Sequence, residues 1–149
     1  MDLARRVDPG GDARHPRSFF EEPIMQVTEQ RFDNALLLKV SGRLDRDTAD
    51  EFKATLLPHV EKCRLGGDVL LLDFSDLEYV SSLGFQVLLL AQQKAKAQSG
   101  SFGVAALQPA VKSVLDVANF ARVIRCFESV ENALGVMSHS AHTAYLQGR

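Results

Sequence analysis

Apolar residues recur along the chain with two alternating spacings, one typical of strands and one typical of helices. Residues 26–33 alternate loosely and residues 35–42 form an apolar run, which predicts a hairpin that turns at Asp33 and Asn34. Residues 69–74 form a short, continuous apolar run, which predicts a strand buried on both faces. The remaining predicted strands are residues 102–107 and 121–127.

Helical spacing of apolar residues separates the later strands. Thr48 and Glu51 have the form of a capping box, which predicts a helix that begins there and ends near Cys63. Pro58 lies inside this helix, where a proline can introduce a kink. Pro109 suits the first turn of a later helix. The other predicted helices are residues 83–98, 109–118 and 128–137.

Helices and strands that alternate after a hairpin predict a single α/β domain. We expect a mixed sheet of about four to five strands, with helices packed mainly on one face. This domain is predicted to span residues 25–137. Residues 1–24 mix Pro, Gly, Arg and Asp without periodicity and are predicted to be a disordered arm; translation that starts at Met25 is an alternative explanation. Residues 138–149 are predicted to be a flexible, polar tail.

Charge and composition exclude several classes of function. The 149 residues carry a formal net charge of -2, which does not favour direct nucleic-acid binding. No apolar run approaches the ~18 residues of a membrane span, and no apolar stretch follows the N-terminal arginines, so membrane insertion and secretion are not expected. Cys63 and Cys126 are far apart and are predicted to be ordinary reduced thiols of a cytoplasmic protein.

Motifs for catalysis are missing from the sequence, so the chain is expected not to be an enzyme and to need no cofactor. It has no glycine-rich phosphate loop, no GxSxG turn and no HExxH pair. His139 and His142 have an HxxH spacing without a nearby third ligand, so no metal site is predicted. Asp73, Asp76 and Glu78 are interpreted as a solvated strand end; acid–base chemistry is the less favoured alternative.

Two adjacent serines, Ser81 and Ser82 in the sequence YVSSLGF, stand where a strand leads into a helix. One serine there is a good N-cap, but a cap does not need two. The alternative role is phosphorylation, because a phosphoryl group would be exposed and would meet free backbone amides. It would add about -1.5 to -2 charges to a surface where Asp45, Asp73 and Asp76 are expected nearby, and would repel a docked partner.

The helix after the serines is apolar on more than one side. Two interpretations stay open: a deeply packed helix, or an exposed apolar patch that serves as a docking site. The predicted core stripe is Leu83, Val87, Leu90 and Ala91, and the residues that broaden it are Phe85, Leu88 and Leu89.

Three motifs in the same order resemble those of the STAS domain family, the fold of the bacterial anti-sigma factor antagonists. The resemblance covers about residues 27–134 and implies a small α/β domain with a mixed sheet. The motifs are DFSDLEYVSSLGF at residues 73–85, VSGRLD at residues 40–45 followed by Thr48 and Ala49, and PAVK at residues 109–112 followed by residues 123–127.

The resemblance implies a phosphorylation-controlled partner switch in signal transduction and transcription regulation. An anti-sigma factor with serine kinase activity binds the unphosphorylated domain, phosphorylation of Ser82 breaks the complex, and a PP2C-type phosphatase resets it. Asp45 matches an acidic position of the family near that serine. Ser81 stands where many antagonists have Asp, and it is the second candidate acceptor. Leu83 stands where Ser, Thr or Ala is frequent.

The resemblance also implies a docking face around the serines. An alternative within the same fold is a STAS subunit of an ABC-type transporter complex, which binds an ATPase subunit without a phosphorylation switch. The expected partner-binding residues are Asp45, Ser81, Leu83, Gly84, Phe85 and Leu88.

Overall fold

Strands and helices alternate after an initial hairpin in the computed structural model, which describes residues 25–148. The strands are β1 (Met25–Phe32), β2 (Ala35–Leu44), β3 (Val69–Asp73), β4 (Leu77–Val80), β5 (Ser101–Ala105) and β6 (Arg125–Phe127). The helices are α1 (Ala49–Lys62), α2 (Ser82–Ala97), α3 (Pro109–Val117), α4 (Val130–Met137) and α5 (His139–Gln147), with a 3₁₀ turn at Phe120–Arg122. The predicted arm, residues 1–24, and the alternative start at Met25 concern sequence outside the described residues.

One mixed sheet of six strands contains all of these strands. Its order is β1-β2-β3-β5-β6; β1 is antiparallel to β2, and the other neighbours are parallel. β2 is long enough to pair with two strands along the same edge. Its first half pairs with β3, and Gly42, Arg43 and Leu44 pair with β4. The predicted α/β class and mixed sheet are confirmed, with six strands instead of four to five; β4 is the strand that the sequence did not predict.

The predicted hairpin is confirmed at its turn. Phe32 pairs directly with Ala35, so two residues connect the strands. Asp33 has φ of 54°, a left-handed conformation that Asp tolerates better than most residues because its short side chain can bond locally. β1 therefore forms one edge of the sheet, with its first residue, Met25, opposite Gly42.

Helices cover both faces of the sheet, because successive strand residues point to opposite sides. Leu36 and Leu38 of β2 face a large core that α1, α2 and α3 close, whereas Ala35 and Leu37 face a smaller core that α4 and α5 close. The expectation that helices lie mainly on one face is therefore only partly right. The four apolar residues at the start of β3 are buried, as the prediction of a strand covered on both faces requires.

The predicted flexible tail is wrong, since residues 139–147 form helix α5. Ser138 caps this helix by accepting a hydrogen bond from the amide of Ala141 at 3.2 Å. The Ser138 hydroxyl also donates to Oδ1 of Asn34 at 2.6 Å, which ties α5 to the hairpin turn. The rings of Phe32 and Tyr145 meet edge to face with centroids 5.2 Å apart.

The capping box predicted for α1 does not form. The helix does begin after Thr48 and end before Cys63, as predicted, and Pro58 lies inside it. The Thr48 hydroxyl, however, donates to the carbonyl of Arg43 at 2.8 Å and accepts from the amide of Asp45 at 2.9 Å. Thr48 therefore closes the turn before the helix instead of capping the helix.

The last predicted strand is shorter than its apolar pattern suggested. Residues 121–127 were predicted as one strand, but Phe120–Arg122 forms a 3₁₀ turn and only Arg125–Phe127 pairs with β5. Asn119, with φ of 55°, separates this turn from α3. Phe120 is buried, so the turn contributes to the larger core.

Candidate functional site

Ser81 fastens the head of α2 to the sheet. Its amide donates to the carbonyl of Leu44 at 2.8 Å, which continues the pairing of β4 with β2. Its hydroxyl accepts a hydrogen bond from the amide of Gly84 at 3.2 Å, the geometry of an N-cap. The side chain is half-buried, so Ser81 supplies the cap that the sequence assigned to one of the two serines.

Ser82 is the first residue of α2, and its side chain is exposed. Within residues 25–148 its hydroxyl has no hydrogen-bond partner. The first amides of a helix lack partners inside the helix and carry the positive end of its dipole. Ser82 therefore presents a free hydroxyl at a position that favours a negative group.

Gly84 and Leu88 are buried, which corrects their expected role as partner contacts. A Cβ atom on Gly84 would lie 2.6 Å from Cγ of Leu44, too close for any side chain. Leu88 is fully buried in the larger core. Both residues hold α2 against the sheet and offer no surface to a partner.

Leu83 and Phe85 form the apolar surface beside the serines. Leu83 is 39% exposed, and the half-buried ring of Phe85 lies 5.5 Å from the ring of Phe120. Of the two open interpretations, deep packing holds for one side of α2 and an exposed apolar surface holds for the other. Only Val87 and Ala91 of the predicted stripe are buried. The buried residues of α2 are Gly84, Val87, Leu88, Ala91 and Ala95.

Asp45 lies beside Ser81, because Leu44 and Val80 are paired and each is followed by one of these residues. Its carboxylate accepts hydrogen bonds from the amides of Asp47 at 2.9 Å and Thr48 at 3.2 Å. Its other oxygen is 3.5 Å from Nε of Arg43. The expected site residue is therefore next to the serines, where it shapes the turn into α1.

Asp73 and Asp76 are not near the serines, contrary to expectation. They precede β4 and the serines follow it, and four extended residues separate the two ends by about 13 Å. Asp76 instead forms an ion pair with Lys39 at 3.1 Å, and this hydrogen bond raises the pKa of Lys39. Asp73 accepts a hydrogen bond from the amide of Ser75 at 2.9 Å. These contacts favour the interpretation of a solvated strand end.

An open groove of about 410 Å³ runs between α1 and α2 next to Ser82. It combines an apolar floor with charged side chains from the start of α1, which sequence reasoning missed because these charges look like an ordinary solvated helix face. We call it the α1–α2 groove. It is lined by Arg46, Ala49, Asp50, Lys53, Leu83, Gln86, Val87 and Leu90.

The cysteines and histidines do not form a metal centre in the described part of the chain, where no group of three or more ligands converges. The thiol of Cys63 is buried and donates to the carbonyl of Ser101 at 3.2 Å. Burial raises the pKa of Cys126 to about 11. His139 and His142 lie in the first turn of α5, and Nε2 of His142 is 3.6 Å from Glu131.

The STAS domain family accounts for this fold and this arrangement. The family model described as "Mlab, STAS domain" matches residues 27–125, so the chain belongs to the STAS domain family. Between Met25 and Gly148, no helix has both the length and the apolar character needed to cross a membrane.

The similar proteins include several anti-sigma factor antagonists. BtrV of Bordetella bronchiseptica, assigned as an anti-sigma factor antagonist, is 28% identical over 73% of this chain and 91% of its own length. An anti-sigma factor antagonist from Mycobacterium paratuberculosis has a similar structure, with a TM-score of 0.68, 22% identity, and coverage of 76% of this chain and 93% of that one. The phosphorylated form of the Bacillus cell fate determinant SpoIIAA gives a TM-score of 0.56 at 14% identity, over 74% and 98% of the chains.

Proposed function

We propose that this protein is a cytoplasmic anti-sigma factor antagonist in a phosphorylation-controlled partner switch. The unphosphorylated domain binds an anti-sigma factor that is also a serine kinase. Phosphorylation of Ser82 releases the complex, and a PP2C-type phosphatase restores the binding form. In this role the chain is a binding protein and not an enzyme. The resemblance to BtrV and to other antagonists supports the proposal.

The observation that carries the proposal is that the two serine hydroxyls differ in their contacts. The Ser81 hydroxyl is engaged in capping α2, whereas the Ser82 hydroxyl is exposed and uncommitted within the described residues. A kinase must bring the acceptor oxygen to its own active site, which favours an exposed hydroxyl. Ser81 is the weaker candidate because its modification would disturb the cap.

Charge explains how phosphorylation would release a partner. A phosphoryl group on Ser82 would add about -1.5 to -2 charges at the head of α2, next to the exposed side chain of Leu83. The helix dipole and free amides would stabilise this charge in the domain itself. A partner that covers Leu83 would have to desolvate the phosphoryl group, so the complex would weaken while the fold stays intact.

Phosphopeptide mapping after incubation with the candidate kinase and ATP tests the acceptor. We expect the label on Ser82, loss of labelling in Ser82→Ala, and retained labelling in the matched variant Ser81→Ala. Undiminished labelling of Ser82→Ala, or labelling that disappears only in Ser81→Ala, would contradict the assignment.

Calorimetric titration of the kinase tests the switch itself. Ser82→Asp should weaken binding by at least tenfold, because the carboxylate mimics part of the phosphoryl charge. Ser82→Asn is the matched control, since it has a similar size without the charge, and it should bind nearly as well as the parent protein. Equal affinities of the Asp and Asn variants would contradict a charge-based release.

The transporter role is the alternative that co-purification distinguishes. A STAS subunit without a switch would retain an ABC-type ATPase subunit, whereas the proposed antagonist retains a serine kinase. If the chain is a transporter subunit, its affinity for the ATPase subunit should not depend on the charge at residue 82.

A further inference from the structure

Arg46 is a cation that forms no ion pair with any residue between Met25 and Gly148. It lies in the loop between β2 and α1, and its side chain is exposed. The nearby cation Arg43 is engaged instead: its Nε is 3.5 Å from Asp45, and its guanidinium lies over a tyrosine ring at 4.5 Å. Arg46 is therefore the cation at this end of the domain that is available to an added anion.

The backbone brings Arg46 close to Ser82. The amide of Ser81 donates to the carbonyl of Leu44 at 2.8 Å, which joins the end of β2 to the head of α2. Arg46 comes two residues after one end of this contact, and Ser82 comes one residue after the other end. Consecutive Cα atoms are only about 3.8 Å apart, so the long side chain of Arg46 can reach the hydroxyl of Ser82. The Arg46 side chain lines the α1–α2 groove together with Leu83, so it faces the head of α2.

Lys53 lines the same groove but is less suited to a group on Ser82. α1 begins at Ala49 and a helix rises about 1.5 Å per residue, so Lys53 lies about 6 Å further along α1. An arginine presents two parallel N–H donors to a phosphoryl group, whereas a lysine acts as a point charge. Lys53 therefore serves as the matched comparison for Arg46.

The acidic groups around the head of α2 leave this role to Arg46. The first turn of α2 has no acidic residue, and the Asp45 carboxylate already accepts hydrogen bonds from two backbone amides. A phosphoryl group carries about -1.5 to -2 charges, so it would attract a cation more strongly than any single carboxylate. The charged and titratable residues of the elements around the head of α2 are Arg43, Asp45, Asp47, Asp50, Glu51, Lys53, Glu78, Tyr79 and Arg122.

We infer that Arg46 binds the phosphoryl group of phosphorylated Ser82 within the same molecule, through two charge-assisted hydrogen bonds from its guanidinium. The contact would cover the end of the α1–α2 groove beside Leu83, so it would add a steric barrier to the charge that repels a partner. This inference deepens the proposed function and its regulatory meaning rests on it, because it concerns the domain modified at Ser82.

Full-length protein with phosphoserine incorporated at residue 82 during translation tests the contact without any kinase. The second pKa of phosphoserine is about 6, and a nearby cation lowers this pKa because it favours the doubly charged form. We expect the ³¹P resonance of the parent protein to titrate at least about 0.5 pH unit below that of Arg46→Gln. Titration in denaturant is the control, where the midpoints of the two proteins should coincide.

Matched variants separate a specific contact from the general field of the domain. Arg46→Lys keeps the charge but loses the paired donors, so it should retain only part of the lowered midpoint. Lys53→Gln removes a charge from the same groove and should change the midpoint by less than about 0.2 pH unit, because solvent screens a more distant exposed charge. Equal midpoints of the parent protein and Arg46→Gln, or equal shifts for Arg46→Gln and Lys53→Gln, would overturn the inference.

A dilution series distinguishes a contact within one molecule from a contact between two. The lowered midpoint should be independent of protein concentration, whereas a midpoint that rises on dilution would assign the arginine to a second copy and overturn the inference. The two proposals also fail separately. If a kinase does not label Ser82, the proposed function fails while a lowered midpoint still establishes the contact; if the midpoint is not lowered, the contact fails whether or not Ser82 is labelled.

Discussion

A Cβ atom on Gly84 would lie 2.6 Å from Cγ of Leu44 and 2.9 Å from its carbonyl oxygen, so α2 and β2 touch through a residue that has no side chain. We predict that Gly84→Ala destabilises the domain by about 1–3 kcal/mol, because the carbonyl of a paired strand cannot move aside. Chemical denaturation measures the change.

Gly135 is the matched control for that substitution. It is an exposed residue inside α4, and a Cβ atom added to it would lie 3.7 Å from its nearest neighbour, the ring of His142. Gly135→Ala should therefore stabilise the protein by about 0.5–1 kcal/mol, the ordinary gain from replacing glycine in a helix. Equal effects at the two positions would contradict the close approach of α2 to Leu44.

The two serines should differ in their contribution to stability. Ser81→Ala removes the N-cap of α2 and should cost about 1 kcal/mol, whereas Ser82→Ala should change the free energy of unfolding by less than about 0.5 kcal/mol. Ser81→Asp should retain the cap and most of the stability, because Asp is also a good N-cap. Denaturant midpoints provide the comparison, and a larger loss for Ser82→Ala would refute the assignment of the cap.

Arg31 and Asp68 form a two-pronged ion pair, with contacts of 3.1 and 2.9 Å between the guanidinium and the carboxylate. The hydrogen bond from Arg31 lowers the pKa of Asp68 below its ordinary value of 3.8. A lowered folded-state pKa contributes stability above the ordinary value, and this contribution is lost as the pH falls through the lowered pKa. Asp68→Asn should therefore cost about 0.5–1 kcal/mol at neutral pH, and this cost should shrink as the pH falls below 3.8 and through the lowered folded-state pKa.

The pH series requires a control pair on the surface. Lys112 and Asp116 are 3.0 Å apart but are both well exposed, at 60% and 58%. Asp116→Asn should have a smaller effect than Asp68→Asn at neutral pH because solvent screens the pair. An effect of Asp68→Asn that is independent of pH would mean that the charge of Asp68 is not its cause.

Cys126 should be a slow nucleophile. Since burial raises its pKa to about 11, its thiolate fraction at pH 8 is about two orders of magnitude below that of an ordinary thiol with a pKa near 8.5. Its alkylation rate by iodoacetamide, followed by mass spectrometry, should rise about tenfold per pH unit until the pH approaches 11. The rate in denaturant is the control, and a plateau of the folded-state rate near pH 9 would contradict the raised pKa.

Helix α5 should contribute measurably to stability. Ser138→Ala removes both the cap of α5 and the hydrogen bond to Asn34, and it should cost about 1–2 kcal/mol. Thr143→Ala, at an exposed position of the same helix, should cost less than about 0.5 kcal/mol. Equal stabilities of the Ser138 and Thr143 variants would indicate that α5 is not held by these contacts.

Elements with a strong local pattern could be predicted from the sequence. The apolar run that forms β3, the hairpin turn at Asp33 and the helix that starts at Pro109 each carry their signal within a few residues. β4 could not be predicted in this way, because its two central residues are exposed and its pairing with β2 joins residues far apart in sequence. α5 was missed because its sequence is polar and only Ala141 is fully buried in it.

The residue types of the candidate site could be predicted from the sequence, but the contacts that these residues make could not. The pair Ser81-Ser82 was recognisable, yet which hydroxyl caps the helix depends on the hydrogen bond to Gly84. Asp76 and the serines are close in sequence, but the extended strand β4 lies between them and holds them apart. The sequence alone did not reveal this separation. Likewise, the α1–α2 groove exists only because two helices separated by about twenty residues pack side by side.

The hydrogen bond from the Ser81 amide to the carbonyl of Leu44 limits how far phosphorylation of Ser82 could change the backbone. The head of α2 is anchored by backbone atoms, so the unmodified and phosphorylated proteins should have superimposable backbones, and amide chemical shifts should change only around residue 82. In the proposed switch, the signal would then be carried by charge on an unchanged backbone, and no refolding step would delay the phosphorylation of Ser82 or its reversal.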